Sequence, residues 1–443
     1  MKEIQIGVIS LGCSKNRVDT ELMLGALQHR NVSFVADPAR ADVIIINTCG
    51  FIESAKQESI DTILEMAQYK KTGGLKALIV AGCLSERYRE ELMRELPEVD
   101  AFLGVNAYDA IAEAVDHALA GETFSEFSAP KAEGNYLDRV LTTPSYYAYV
   151  KIAEGCNNRC SYCAIPYIRG NLQSRTMEDI EAEVRMLLKE GVREVILVAQ
   201  DTTRYGMDLY GKPMLCELLE RLAVLPGIVW LRVLYCYPEN ITDELLDVMQ
   251  KHETIVKYLD IPIQHLDDTV LKRMHRRNRQ DATYALVRKI RQKNPNFIIR
   301  TTLIAGFPGE TEEQFSVLRQ GVVDLAFDRM GVFAYSQEEG TPAAEFLDQV
   351  PEEEKEARRD TLMEIQQAIS LAANERRVGK IYRVLVEGAG EQEGTYWGRS
   401  YAEAPDIDGQ ILIHSQRPLA EGEFIPVKIE SADAYDLYGG ALL

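Results

Sequence analysis

Three cysteines stand close together in Glu154-Gly155-Cys156-Asn157-Asn158-Arg159-Cys160-Ser161-Tyr162-Cys163, with the spacing Cys-x3-Cys-x2-Cys. Three thiolates on one tight loop can hold three irons of a four-iron four-sulfur cluster, which leaves the fourth iron open to a small molecule. Zinc is the competing reading. Structural zinc takes four ligands, usually in paired short spacings, and no fourth Cys or His lies nearby.

Cys13, Cys49 and Cys83 are scattered in the chain, yet each falls just past an apolar stretch that reads as a parallel strand. The carboxyl ends of such strands line one crevice, so three distant thiols can meet there. A buried cysteine can also serve as a small hydrophobe. Three in three consecutive loops favour a second three-cysteine cluster site. Cys216 on an apolar helix and Cys236 at a strand end show no such pattern and read as packing residues. Eight cysteines this widely spaced do not make a disulfide scaffold. Ser10-Leu11-Gly12-Cys13 has the look of a lipoprotein cleavage site, but the apolar stretch before it is too short for a signal peptide.

The elements that must position these thiols follow from periodicity. Ile4–Ile9, Val43–Asn47 and Ala77–Ala81 read as buried strands, with helices from about Arg17 to Arg30, Glu53 to Tyr69 and Ser85 to Leu96. Short apolar strands alternating with helices imply a doubly wound parallel sheet. This first domain is expected over 1–125, followed by an aperiodic linker over 126–141. Over 142–375 six candidate strands (Tyr147–Ala153, Val195–Ala199, Trp230–Tyr235, Tyr258–Ile263, Ile298–Ile304, Met330–Tyr335) alternate with helices. A full eight-unit barrel needs about 250 residues, so an incomplete TIM-like parallel barrel fits better. The Cys156 loop then follows the first barrel strand, at the carboxyl mouth. A charged helix from about Glu352 to Arg377 closes the region. Over 376–443, short strands and Gly-rich turns predict a small antiparallel β-barrel. The fold class is thus α/β with a β-barrel tail.

The chain has 443 residues and a formal net charge of −20. That balance repels phosphates and weighs against nucleic-acid binding over the whole surface; it favours a basic partner. No apolar run approaches the roughly 18 residues of a membrane span. A cytoplasmic protein without membrane contact is expected.

The Cys-x3-Cys-x2-Cys loop on a partial barrel resembles the radical S-adenosylmethionine enzymes, and the whole chain resembles their methylthiotransferase family, whose C-terminal barrel is a TRAM domain. Ser10–Asn16, Asn47–Ile52, Ala199–Gly206 and Gly398–Tyr401 resemble the protein-modifying branch, which acts on an aspartate β-carbon of the twelfth small-subunit ribosomal protein. Ser14 stands where relatives often have proline. The resemblance implies two 4Fe–4S clusters, one on Cys156, Cys160 and Cys163 that binds and reductively cleaves S-adenosylmethionine, and one on Cys13, Cys49 and Cys83 that carries or donates sulfur. It implies a second S-adenosylmethionine as methyl source, a basic ribosomal protein as substrate, free or in the small subunit, and a reductant protein such as flavodoxin or ferredoxin. Tyr162 resembles the aromatic that supports the adenine. Gln200, Gln264 and Arg300, at or near strand ends, are placed to bind the cofactor's polar groups, or to serve as structural hydrogen bonders. Gly306–Glu310 forms a turn at the mouth, and His265 reads as a hydrogen-bonded mouth residue. Lys272–Arg279 holds five Lys/Arg and reads as a solvated helix end or an anion-docking site.

Two alternatives stand beside this reading. A tRNA adenosine methylthiotransferase shares the cofactors, but the barrel over 376–443 carries seven Lys/Arg against eleven Asp/Glu, a net of −4, where an RNA-binding barrel should present a basic face. A non-enzymatic iron–sulfur or zinc scaffold that binds RNA or protein is the other; an open fourth site on each cluster argues against it.

Overall fold

The computed structural model describes residues 3–127 and 134–442. The first unit is a six-stranded, all-parallel sheet in the order Val32–Val35, Ile4–Ser10, Val43–Thr48, Ala77–Gly82, Ala101–Leu103, Phe124–Glu126. Val43–Thr48 and Ala77–Gly82 are buried along their whole length, as apolar strands covered on both faces must be. Three strands go beyond the sequence expectation, two of them three residues long and the third four, each too short to make a clear periodic signal. The last of them ends at Glu126, where the linker was expected. Residues 128–133 of that linker lie outside the described residues. Its end is not a free tether: Tyr136 is buried under the Arg175 guanidinium, 3.4 Å from its ring centroid, and buried Arg139 faces Glu183 at 3.1 Å.

The second unit is the expected partial barrel. Parallel strands Tyr147–Lys151, Glu194–Val198 and Trp230–Val233 form one sheet, and Tyr258–Asp260, Ile298–Ala305 and Arg329–Ala334 another. A parallel bridge between Leu231 and Ile255 carries the series across. Along Ile298–Ala305 the odd residues are buried under the outer helices and the even ones face inward, which is the period of a half-barrel wall. The outer helices include Met177–Lys189 and Glu312–Leu325, the latter with a capping box from Thr311 and Gln314. Glu352–Glu375 packs across the last two strands.

The C-terminal unit is a closed five-stranded barrel, Ile381–Ala389, Thr395–Arg399, Ile411–His414, Leu437–Ala441 and Phe424–Ala432 in spatial order. The expectation of an antiparallel barrel is corrected here: Leu437–Ala441 runs parallel to Ile411–His414, so the barrel is mixed. That strand holds Gly439 and Gly440 and has no apolar alternation, so it is not legible as a strand. It pairs back on Phe424–Ala432 and closes the wall.

This barrel docks on the amino ends of the half-barrel strands. Glu194, Trp230, Tyr258 and Arg329, each the first residue of its strand, meet Arg399, Phe424, Asp408 and Glu403 respectively. The clamp is ionic and dry. Glu403 is 1% exposed, with Arg377 at 2.5 Å and Arg329 at 3.1 Å, and accepts from Ser400. Burial alone would raise its carboxyl, but the two guanidinium groups outweigh burial and hold it down at about 2. Ionised Glu403 therefore stabilises the native chain in full above the ordinary value of 4.5, and this contribution fades as pH falls toward about 2. Breaking a buried pair by removing one partner costs about 3–5 kcal/mol. Glu403→Gln is expected to lower the thermal midpoint at pH 7, and the gap from the parent protein should narrow as pH is taken below 4.5; a gap independent of pH would contradict this clamp.

Candidate functional site

The six clustered cysteines lie at the carboxyl ends of the two parallel sheets, which face each other. Strands Ile4–Ser10, Val43–Thr48 and Ala77–Gly82 are neighbours in register, so their loops leave the sheet side by side. Cys13 is the N-cap of helix Ser14–Gln28, Cys83 opens helix Cys83–Glu95, and Cys49 stands just before helix Glu53–Ala67. Helix amino ends favour negative charge, which suits thiolates. Gly82 reaches φ +96°, and a side chain there would meet the Asn47 amide oxygen at 2.2 Å, so only glycine delivers Cys83.

One side chain organises all three loops. The Asn16 amide donates to the carbonyls of Leu11 at 3.0 Å and Thr48 at 2.8 Å, and its oxygen lies 3.5 Å from Cys83 Sγ. Asn47 in turn donates to the Asn16 carbonyl. Cys13 and Cys49 are adjacent enough that a side chain on Gly12 would strike Cys49.

The second thiol loop follows strand Tyr147–Lys151. Gly155, at φ +73°, lies where a Cβ would sit 2.1 Å from the Asn171 carbonyl, so the chain passes there only as glycine. The Cys156 N–H donates to Gly170, the Cys163 N–H to Cys160, and Ser161 is pinned to Met274 and Ala343. Cys156 Sγ accepts from the Asn158 N–H at 3.5 Å, and Tyr237 Oη is 4.0 Å from Cys160 Sγ. Among the described residues no group of three His, Cys, Asp or Glu side chains is already gathered as a single-ion site.

A cavity of about 510 Å³ lies between the Cys13 and Cys49 loops and the mouth of the half-barrel. Cys13, Cys49, Phe51 and Ile52 line one side; Tyr162, Gln264, Ile304 and Phe333 line the other. Phe333 is 52% exposed, an aromatic left facing this space. Buried Glu338 clamps the rim, pairing with Arg87 at 2.8 Å and Lys56 at 3.2 Å across the domain boundary.

The rest of the domain boundary is a buried charge network. Arg169, six residues past Cys163 and 1% exposed, donates to both Glu154 oxygens at 3.0 Å, to Asp19 at 2.9 Å, to Asn16 at 2.6 Å and to Cys83 Sγ at 3.4 Å. Lys151 bonds Asp19 at 2.5 Å, Glu154 at 2.8 Å and Tyr108 at 3.2 Å. Burial would raise the Glu154 carboxyl, but Arg169 and Lys151 hold it well below its ordinary range.

Of the other expected site residues, Tyr162 and Gln264 reach the cavity. Gln200 donates to Glu154 at 2.9 Å, and its buried oxygen has no protein partner among the described residues. Arg300 is not brought to this mouth. It is the third residue of its strand, pairs with Asp260 at 2.9 Å and faces Asp408 of the C-terminal barrel at 3.9 Å. His265 is fully buried between Glu310, 3.1 Å away, and the Asp267 N–H. The Lys272–Arg279 run is not an open basic patch. Arg276 is buried, with its guanidinium 4.2 Å from the Tyr237 ring centroid; Arg273 pairs with Asp348; Arg279 bonds backbone carbonyls. Cys216 packs against the half-barrel core and Cys236 is fully buried within it. Sequence reasoning missed Asn16, Asp19, Lys151, Glu154 and Arg169 as members of the site, and had Arg276 only as part of the basic run. The one visible signal was two charges, Lys151 and Glu154, in an otherwise apolar stretch.

A parallel half-barrel with three cysteines on the loop after its first strand places the chain among radical S-adenosylmethionine enzymes, and the model of the Radical SAM superfamily matches residues 150–320. The Uncharacterized protein family UPF0004 matches residues 5–104 and the TRAM domain residues 378–442. The chain is 49% identical over 443 residues to the ribosomal protein uS12 methylthiotransferase RimO of Lachnoclostridium phytofermentans, covering 99% of this chain and 100% of that one. It is 50% identical over 441 residues to the protein of that name from Desulforamulus reducens, covering 98% of each. It belongs to the RimO family of ribosomal protein uS12 methylthiotransferases. Among solved structures, the radical S-adenosylmethionine methyltransferase TsrM from Kitasatospora setae superposes with a TM-score of 0.56 at 12% identity, covering 88% of this chain and 79% of that one, a likeness of fold alone.

The thiols differ in how readily they ionise. Burial pushes Cys83 up to about 12 and Cys156 up to about 11, and raises Cys49 and Cys163. The protein around Cys13 also desolvates its thiol, but Lys15, Arg169 and backbone N–H groups outweigh this and leave it below its ordinary value. Cys13 is also exposed to the cavity whereas Cys83 is buried. In metal-free protein at pH 8, iodoacetamide is therefore expected to alkylate Cys13 well before Cys83, read by peptide mapping against time; equal rates would contradict this microenvironment.

Proposed function

We infer that this chain transfers a methylthio group to ribosomal protein uS12, using radical S-adenosylmethionine chemistry. The observation that carries the reading is the near full-length identity to proteins of that name, on a structure where Cys13, Cys49 and Tyr162 of the radical loop line one cavity. The finer reading is an aspartate β-carbon as the site modified. That carbon is a poor proton donor, so acid–base groups alone do not activate it.

The residues fit two iron–sulfur clusters and S-adenosylmethionine. Each trio comes from one crevice, helix amino ends lie behind Cys13 and Cys83, and cations stand near Cys13 and Cys83. Gln200 Oε1 and Arg276 Nη1 are buried polar atoms with no protein partner among the described residues, on the side of the radical loop. Once bound, a reduced cluster and S-adenosylmethionine supply a carbon radical able to take hydrogen from an unactivated carbon.

The protein's own part is placement and exclusion. Cys156, Cys160 and Cys163 hold the radical-generating cluster; Cys13, Cys49 and Cys83 hold the one that handles sulfur. Tyr162 supports the adenine, and Gln264 at the cavity wall offers a polar contact. Arg276 Nη1 is free to receive a carboxylate. Phe51, Ile52, Ile304 and Phe333 give the cavity apolar walls, which protect a radical from side reactions. The substrate loop enters between the two domains, so the carbon that loses hydrogen lies near the thiol set that handles sulfur. A small reductant protein such as flavodoxin or ferredoxin delivers electrons, and the enzyme works in the cytoplasm.

A basic ribosomal protein suits the surface better than tRNA. The terminal barrel carries a net −4, and three of its seven cations are already committed: Arg377 and Arg399 in buried pairs, Arg417 to Glu423. Anaerobically loaded enzyme, offered a uS12 loop peptide and an unmodified tRNA anticodon stem-loop together, is expected to methylthiolate only the peptide by mass spectrometry. Cys13→Ala should abolish the methylthio product while leaving some 5′-deoxyadenosine formation. Modification of the RNA, or full methylthiolation by Cys13→Ala, would overturn the reading.

A further inference from the structure

The Cys83 sulfur meets one cation, and that cation comes from the other domain's thiol loop. Arg169 leaves the short helix Ile165–Ile168 that follows Cys163. Its guanidinium is held on one side by both Glu154 oxygens at 3.0 Å and on the other by Asp19 at 2.9 Å and Asn16 at 2.6 Å. Nη2 then lies 3.4 Å from Cys83 Sγ. Both Nη nitrogens are engaged, which holds the planar fork against the sulfur. Asp19, Glu154, Lys151 and Arg169 cancel in charge, and all four are at most 2% exposed.

We propose that Arg169 is a positioning residue that sets the reduction potential of the cluster on Cys13, Cys49 and Cys83. The proposal rests on the reading that these cysteines hold an iron–sulfur cluster. Cluster potentials follow net charge and hydrogen bonds to sulfur. A guanidinium N–H against a ligand sulfur, in an interface from which water is excluded, stabilises the more negative reduced state and raises the potential. Asp19 works against it by neutralising part of that charge. Asn16 extends the effect, because the amide that accepts from Arg169 also fixes the Cys13 and Cys49 loops. The radical loop, through Arg169 and Glu154, thus sets the electronic state of the second thiol set. Glu154 lies two residues before Cys156.

The test uses the full chain with Cys156, Cys160 and Cys163 all changed to Ala, so that only the N-terminal set is loaded. After anaerobic reconstitution, iron and sulfide analysis should give about four of each per chain. Dithionite titration followed by electron paramagnetic resonance then adds one electron to the cluster, with no bond made or broken. Arg169→Gln is expected to shift the potential down and Asp19→Asn to shift it up; Arg169→Lys, which keeps the charge and loses the fork, should fall between Arg169→Gln and the parent. If Arg169→Gln fails to fold by circular dichroism, the Asp19→Asn and Arg169→Lys shifts decide alone. A merely structural role would not give shifts of opposite sign. Unchanged potentials at four irons per chain, or shifts of one sign, would overturn the proposal while leaving the cluster assignment standing; no bound iron would overturn both.

Discussion

The buried ion network around Arg169 is the contact on which the rest of the site depends. Four charges lie in a dry boundary between two domains, where an unpaired charge would cost several kcal/mol. They are tolerated because each is answered: Arg169 by Glu154 and Asp19, Lys151 by the same two carboxylates. Such a network contributes little net stability compared with apolar packing, and its four pairings are all met in the register the two domains adopt. That register brings two crevices onto one cavity.

The geometry follows from a rule that both domains obey. Parallel sheets gather their functional loops at the carboxyl ends of the strands. Here two such ends face each other, so loops from both sheets enclose a shared space. The half-barrel lacks two units of a full barrel. The C-terminal barrel takes the opposite end, sealing the strand starts with Arg399, Glu403 and Asp408. The cavity opens at the seam between the first two domains, where Glu338 pairs with Arg87 and Lys56.

Much of this was legible in the sequence where the signal was local. Four of the six half-barrel strands are buried along their whole length, and both cysteine sets follow apolar runs, so spacing and strand order alone assigned them to strand-end loops. What was not legible depends on distant partners. Arg169, Lys151 and Glu154 read as ordinary charges because Asp19 and Asn16 lie over a hundred residues away in sequence. Arg300 sits on a barrel strand, yet its partner Asp408 comes from a domain that docks on the other end. Arg276 belongs to a basic run whose burial only the Tyr237 ring reveals. The closing strand Leu437–Ala441 carries two glycines and owes its conformation to its neighbours' hydrogen bonds.

We infer that the two cysteine trios hold clusters close enough together to act on one substrate carbon. Electron paramagnetic resonance of the doubly reduced holoenzyme tests it most directly, compared with the sum of spectra from two variants that each keep one trio. Two paramagnets across a cavity of this size must couple, so the account predicts a spectrum broadened and faster-relaxing than that sum. A spectrum equal to the sum, at full iron loading, would place the clusters far apart and contradict the account.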